Sequence, residues 1–214
     1  MKVSLENLGK RFNNQWIFRG LSQDLLEGER YVILGSNGSG KSTLLQTIAG
    51  YRVPSEGSIS FHDQDKQIAA DQQYRFISVA SPYLALIEEF DIDELFQFHF
   101  GLKPITKSLD IKGFKEWLGL QNINKKPIRQ YSSGMKQRLR LALAFFSDTP
   151  ILMLDEPCSN LDAQGIEWYR KLLGSVLKNR IVIICSNHQE NEYEPCNNII
   201  DISFYKPAAS LKSG

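Results

Sequence analysis

Residues 35–42 read Gly35-Ser36-Asn37-Gly38-Ser39-Gly40-Lys41-Ser42, a complete G-x4-G-K-S, and few short patterns leave a chain so little choice of fold. The element needs a strand before it and a helix after it. Tyr31 to Leu34 supplies a brief apolar strand, and a helix is expected from about Lys41 to Ala49. Glycines let successive backbone N–H groups turn inward around an anion without Cβ clashes. The helix start adds the positive end of its dipole. Gly35, Ser36, Asn37, Gly38, Ser39, Gly40, Lys41, Ser42 and Thr43 are therefore the expected lining of a phosphate cradle. Lys41 is placed for the β- and γ-phosphates of a nucleotide, and the Ser42 hydroxyl for Mg2+.

A second acidic element follows far downstream, in Ile151-Leu152-Met153-Leu154-Asp155-Glu156-Pro157. Its apolar residues bury a strand and deliver two carboxylates to the strand's C-terminal end, where open α/β sheets bind ligands. Asp155 is the candidate to hold Mg2+, and Glu156 the candidate base for an attacking water. Pro157 stops the strand.

Strand and helix patterns alternate along the chain, which implies a mainly parallel sheet. Val3, Leu5 and Leu8 begin a short strand, and Asn13-Asn14 falls at a hairpin turn before Trp16, so an antiparallel β unit is expected at the N-terminus. Further strands are expected at Ile59–Phe61, Phe76–Val79, Ile151–Leu154, Ile181–Cys185 and Ile199–Phe204. A polar stretch from Asp63 to Gln73 separates two of them. Helical spacing from Leu84 to about Asn124, then a helix from Ser132, reads as an inserted helical subdomain over about 82–145. Asp162 to Lys178 is expected to be helical, and only the last few residues to be loose.

A length of 214 residues suits one core with a small subdomain, so 1–214 is expected to be a single domain. Lys+Arg 25 against Asp+Glu 24 gives a net charge of +1, which argues against nucleic acid or anionic lipid as a general partner. Cys158, Cys185 and Cys196 show no CxxC spacing and suit a reducing cytosol. The opening residues lack the apolar core of a signal peptide, and no apolar run approaches the ~20 residues that cross a bilayer.

Between the two acidic and glycine-rich elements lies Tyr131-Ser132-Ser133-Gly134-Met135-Lys136-Gln137-Arg138. With the order of the other motifs, it resembles the ATP-binding cassette family, whose signature usually reads L-S-G-G-Q. The resemblance spans about Val3 to Ile202. Ser132 and Gly134 match, while Ser133 and Met135 depart from the usual residues. The S-x-G-M-K-Q-R form looks like exporter-type cassettes. Ser132 is also a good N-cap, so N–H groups from Ser133 onward would point outward from a helix start. Lys125, Lys126, Arg129, Lys136, Arg138 and Arg140 surround it, with no acid from Gln121 to Ser147. A second anion-binding surface on a chain that already has one suggests two chains arranged head to tail.

The resemblance implies a P-loop NTPase core that hydrolyses ATP with Mg2+, in a homodimer or paired cassette with an integral membrane permease subunit. It would then sit in the cytoplasm, peripheral on the inner face of the cell membrane. The resemblance further implies that Asp162, in Ser159-Asn160-Leu161-Asp162, crosses the dimer seam. Asp162 also suits the start of the next helix. His188 stands where relatives carry a switch histidine contacting the γ-phosphate. Phe12, or its rival Trp16, stands where relatives stack an aromatic on adenine, and spacing favours Phe12. One element departs. Relatives follow the strand equivalent to Phe76–Val79 with a glutamine at the metal; this chain reads Ala80-Ser81-Pro82-Tyr83, leaving Ser81 to do a weaker version of that work or none. The apolar strip Tyr83, Leu84, Leu86, Ile87 and Phe90 would dock the membrane partner or pack the helical subdomain.

Two other functions compete. A soluble cassette for DNA repair, chromosome maintenance or translation would usually bring coiled coils, zinc-binding cysteines or two cassettes, and none is present. A non-hydrolysing binding module has no use for Lys41, Asp155, Glu156 and His188 together.

Overall fold

The computed structural model describes residues 1–64, 66–106, 109–123, 125–176 and 179–207. The loose terminal residues, the end of the helix expected to reach Lys178, and Asn124 lie outside that set.

Two sheets share the chain. The first is antiparallel, in the order β2-β1-β4-β5, from β1 (Lys2–Phe12), β2 (Gln15–Leu26), β4 (Glu56–Asp63) and β5 (Lys66–Gln67). Its first hairpin turns at Asn13-Asn14, with Phe12 paired to Gln15 and Asn13 at φ 51°, a left-handed conformation that asparagine tolerates. The N-terminal strand is long rather than short, because bulges after Leu5 and Leu8 keep Val3, Leu5 and Leu8 buried while it twists.

The second sheet is wholly parallel, in the order β6-β7-β8-β3-β9, from β3 (Arg30–Leu34), β6 (Ile77–Ala80), β7 (Ile151–Asp155), β8 (Ile181–Ser186) and β9 (Asn198–Asp201). Every residue of β7 and β8 is buried, as expected of strands covered on both faces. Their two-residue period divides the core. Ile151, Met153, Ile181, Ile183 and Cys185 pack with α1 (Lys41–Ile48) and the antiparallel sheet. Leu152, Leu154, Val182 and Ile184 face the helical side.

That side holds α2 (Ile92–Leu102), α3 (Ile111–Leu118) and α4 (Ser133–Phe146), inserted between β6 and β7, with α5 (Ala163–Val176) after β7. Asp91 caps α2 by accepting from the N–H groups of Asp93 and Glu94, while Glu94 accepts from Asp91 N–H, all at 2.9 Å. The chain is an α/β P-loop NTPase fold with an antiparallel β subdomain and a helical insertion.

Three expected boundaries are corrected. The polar stretch from Asp63 to Gln73 carries β5 and a 3-10 turn over Ala70–Phe76. The segment from Leu84 to Phe90 is turn rather than helix; its backbone pairs with Ile128 and Arg129, whose N–H groups donate to Phe90 O and Glu88 O at 2.9 Å. The last strand stops at Asp201, whose carboxylate accepts from Ser203 N–H at 2.8 Å and starts a 3-10 turn over Ile202–Tyr205. That turn places Ile202, fully buried, beneath the glycine loop.

Candidate nucleotide site

The cradle loop joins β3 to α1 at the C-terminal end of the parallel sheet. Two of its glycines are required by what lies beneath them. A Cβ on Gly35, at φ 157°, would stand 2.5 Å from Ser39 Oγ and 2.8 Å from Ile202 Cγ2. A Cβ on Gly40, at φ 107°, would collide with Ile17 Cγ2 of β2. The hairpin and the last turn thus form a floor that presses the loop into its curve.

Lys41 is 4% exposed, and its ammonium donates to Gly35 O at 2.8 Å and Ser36 O at 3.1 Å. Among the described residues no carboxylate pairs with this charge, which is held inside the loop and suits a site built for phosphate. Ser39 Oγ is buried with no hydrogen-bond partner among the described residues. Asn37, Gly38, Gly40, Lys41, Ser42, Thr43 and Glu156 line one cavity of about 460 Å³, joined by Arg52 and Tyr83.

Asp155 ends β7, 1% exposed, and each of its oxygens meets a serine hydroxyl. Ser42 donates to Oδ1 at 3.0 Å and Ser81 to Oδ2 at 3.2 Å. Burial pushes the Asp155 carboxyl up from its ordinary value, and these two hydroxyls pull it back. Ser81, itself 5% exposed, therefore belongs to the site despite being shorter than the glutamine of relatives. Among the described residues no group of three or more His, Cys, Asp or Glu side chains is gathered as a metal cage. Mg2+ takes one or two protein oxygens and completes its shell with phosphates and water. Ser42 and Asp155 fit it.

Glu156 stands beside the cavity at φ 44°, a left-handed conformation uncommon for a residue with a side chain. Its N–H donates to Cys185 O at 3.0 Å, turning the chain off β7. His188 follows β8 at φ 56° and is exposed, but it does not line the cavity. Phe12 is 41% exposed at the hairpin tip, with Lys10 and Arg52 over its ring at 5.3 and 5.2 Å. Trp16 is held between Arg11 and Arg19, at 5.5 and 4.8 Å.

The signature residues are elsewhere. Ser132 caps α4, accepting from Met135 N–H at 3.2 Å. Ser132, Ser133 and Gly134 line a separate cavity of about 430 Å³ with Asn160, Leu161 and Asp162, and the two cavities share no residue. Asp162 accepts from Gly165 N–H at 2.7 Å as a helix-start residue and pairs with Arg138 at 3.4 Å. The basic cluster is partly tied down from outside its own segment: Lys136 pairs with the Glu88 carboxylate at 2.6 Å, and Arg140 donates to the uncharged Leu84 O at 2.8 Å. A larger groove of about 640 Å³, lined by Trp117, Phe146 and Arg180 among others, contains none of the cradle residues and neither Asp155 nor Glu156. Size does not mark the site here; donor chemistry does. Sequence reasoning passed over Arg52, which belongs to no contiguous motif, and reads Tyr83 only as part of the apolar strip although it lines the first cavity.

The profile of the ABC transporter family matches residues 18–159. The chain belongs to the ABC transporter family. It is 30% identical over 212 residues to the uncharacterized ABC transporter ATP-binding protein YybJ of Bacillus subtilis (strain 168), covering 98% of this chain and 96% of that one. It is 29% identical over 192 residues to the lantibiotic transport ATP-binding protein SrtF of Streptococcus pyogenes, covering 90% and 82%. A solved ATP-binding subunit of an ABC transporter superposes with a TM-score of 0.83 at 19% identity, over 94% of this chain and 86% of the other. The chain is an ATP-binding ATPase of this family. Among its described residues no helix is long and apolar enough to cross a membrane.

Proposed function

We propose that this chain is the cassette of an ABC transporter that hydrolyses MgATP within a head-to-tail pair and drives a separate integral membrane permease. The observation that carries the proposal is the pair of disjoint cavities: the cradle holds Lys41, Ser42 and Glu156, while Ser132, Ser133 and Gly134 open on another. One chain therefore offers half of two sites, and a second copy or a paired cassette completes both. The unit would be residues 1–214 as one domain, with its helical insertion over about 82–145.

The geometry supports one role for each residue. When bound, MgATP supplies the scissile phosphoanhydride and a cation that neutralises its charge. The cradle N–H groups from Gly38 to Thr43 bind and orient the phosphates, and Lys41 exchanges its two carbonyl partners for phosphate oxygens. Ser42 and Asp155 would hold the cation, with Ser81 steadying Asp155. Glu156 orients the attacking water and takes its proton. Phe12 would stack on adenine, and His188 would reach the γ-phosphate only after the segment beyond β8 shifts toward the cavity. Ser132, Ser133, Gly134 and Asp162 would cap the partner's nucleotide across the seam.

The membrane partner would dock beside Ser81. Leu86 and Phe90 already pack against the helical core, whereas Tyr83 stays 76% exposed. The strip is thus divided between packing and contact. Such a chain would work on the cytoplasmic face of the cell membrane with no role for nucleic acid, and the exporter-like S-x-G-M-K-Q-R form of its signature makes export the favoured direction. Purification from native membranes tests this. A multi-spanning membrane protein should accompany the chain and raise its ATP turnover; turnover raised by nucleic acid instead, with no membrane protein present, would contradict the proposal.

A further inference from the structure

The peptide group between Pro157 and Cys158, one residue beyond Glu156, is held at both ends by buried side chains that the cavity does not contain. Its carbonyl accepts from Gln137 Nε2 at 3.0 Å, and its N–H donates to Glu192 Oε1 at 3.0 Å. Gln137 lies on α4, the helix that the signature serine caps. Glu192 lies on α6 (Glu190–Tyr193), the single turn that follows His188. Both side chains are 1% exposed, and each keeps one oxygen, Gln137 Oε1 and Glu192 Oε2, with no hydrogen-bond partner among the described residues.

Burying two such groups half-satisfied is unfavourable unless their placement serves something else. The backbone they grip is the one that needs holding. Glu156 is left-handed at φ 44°, and its own carbonyl accepts from Ser159 N–H at 3.0 Å in the same turn. A left-handed glutamate persists only where its surroundings fix it. Tyr169 adds a third anchor, donating from its buried hydroxyl to Glu192 O at 2.7 Å.

We propose that Gln137 and Glu192 are positioning residues for ATP hydrolysis, clamping the Pro157–Cys158 peptide so that Glu156 is aimed at the cradle. The clamp joins three segments: the signature helix, the turn carrying the general base and the segment carrying His188. Movement of α4 when a partner engages Ser132 would reach Glu156 through Gln137 without passing through the nucleotide. Burial raises the Glu192 carboxyl above its ordinary value, and the hydrogen bond from the Cys158 N–H acts against that rise. The proposal rests on Glu156 being the base, and its test separates the two.

Glu192→Met fills the same space without an acceptor, and Glu192→Gln keeps one. Turnover, nucleotide affinity and backbone hydrogen exchange would be measured on the purified full chain, with Glu156→Gln alongside. Glu192→Met and Gln137→Leu should each lower kcat about tenfold or more while ATP affinity stays within about threefold, since the cradle is untouched. Because both act through one peptide, the double variant should be little worse than the poorer single. Glu192→Gln should recover most of the loss. Exchange should rise in the 156–160 segment and stay unchanged in β7. Folded variants with kcat within twofold of the parent, losses that multiply in the double variant, or no rescue by Glu192→Gln would each overturn the clamp. If Glu156→Gln itself turned over normally, the base assignment would fall, and unchanged exchange over 156–160 in Glu192→Met would still overturn the clamp on its own.

Discussion

The two half-sites proposed for this chain are built in opposite ways. Around the cradle, the functional side chains are buried and already bonded: Lys41 to two carbonyls, and Asp155 to the hydroxyls of Ser42 and Ser81. At the signature, Ser132 and Ser133 are exposed, and the ordering contacts are local to the start of α4. A pre-bonded site needs only an exchange of partners when its ligand arrives, so it can be specified within one chain. An exposed helix start gains its full worth when a second surface excludes water from it. The difference implies that substitutions in the cradle act on one chain's chemistry, and substitutions at the signature act on pairing.

The largest effect should come from the cradle side. Glu156→Gln removes the base and leaves the loop intact, so turnover should fall about 10²–10⁴-fold with nucleotide affinity nearly unchanged. Phosphate release measured beside nucleotide binding checks this, and near-normal turnover would remove Glu156 from the chemistry. A smaller effect is expected where the cradle meets the apolar strip that begins at Tyr83. Ser81→Gln lengthens the side chain toward the metal position and should raise basal turnover about two- to tenfold, an expectation read from the single hydrogen bond at stake. An unchanged rate would show that Ser81 already does all that this position requires.

The smallest effect lies in neither half-site and serves as their control. His99 on α2 is hydrogen-bonded to Ser147 at 3.0 Å, and burial lowers its pKa from 6.5 to about 4. The folded chain therefore keeps it neutral where the unfolded chain protonates it. Stability from this residue is intact above pH 6.5 and should decline by about 1.4 kcal/mol per unit as pH falls toward 4. Thermal unfolding of His99→Gln should show a shallower acid limb than the parent, with ATP turnover at neutral pH unaffected.

Much of the cradle was legible in the sequence because its residues are contiguous, and a G-x4-G-K-S after an apolar strand permits little else. The long buried strands Ile151–Asp155 and Ile181–Ser186 were legible for a similar reason, since continuous apolar runs suit a covered parallel sheet. What escaped was contact between distant segments. The sequence leaves Ser81 a weaker share of the metal-site work or none, and only the fold puts its hydroxyl on Asp155, 74 positions away. Lys136 and Arg140 read as part of a free basic surface because their partners, Glu88 and Leu84 O, lie outside the segment. Ile199 to Phe204 read as strand on its apolar content, although Asp201 caps a turn within it. Glu192 sits in a run of polar residues that suggests a solvated loop, yet it is buried.

The proposal's central claim is that one chain holds two half-sites, which a second copy or a paired cassette completes. Sedimentation of the Glu156→Gln chain with and without MgATP tests it most directly, because uncleaved nucleotide should hold the pair together. The chain should sediment as a monomer without nucleotide and as a dimer with it. Adding Ser132→Arg should return it to monomer while each chain still binds ATP in its own cradle. A Ser132→Arg chain that still dimerises with MgATP as readily as its parent would contradict the account.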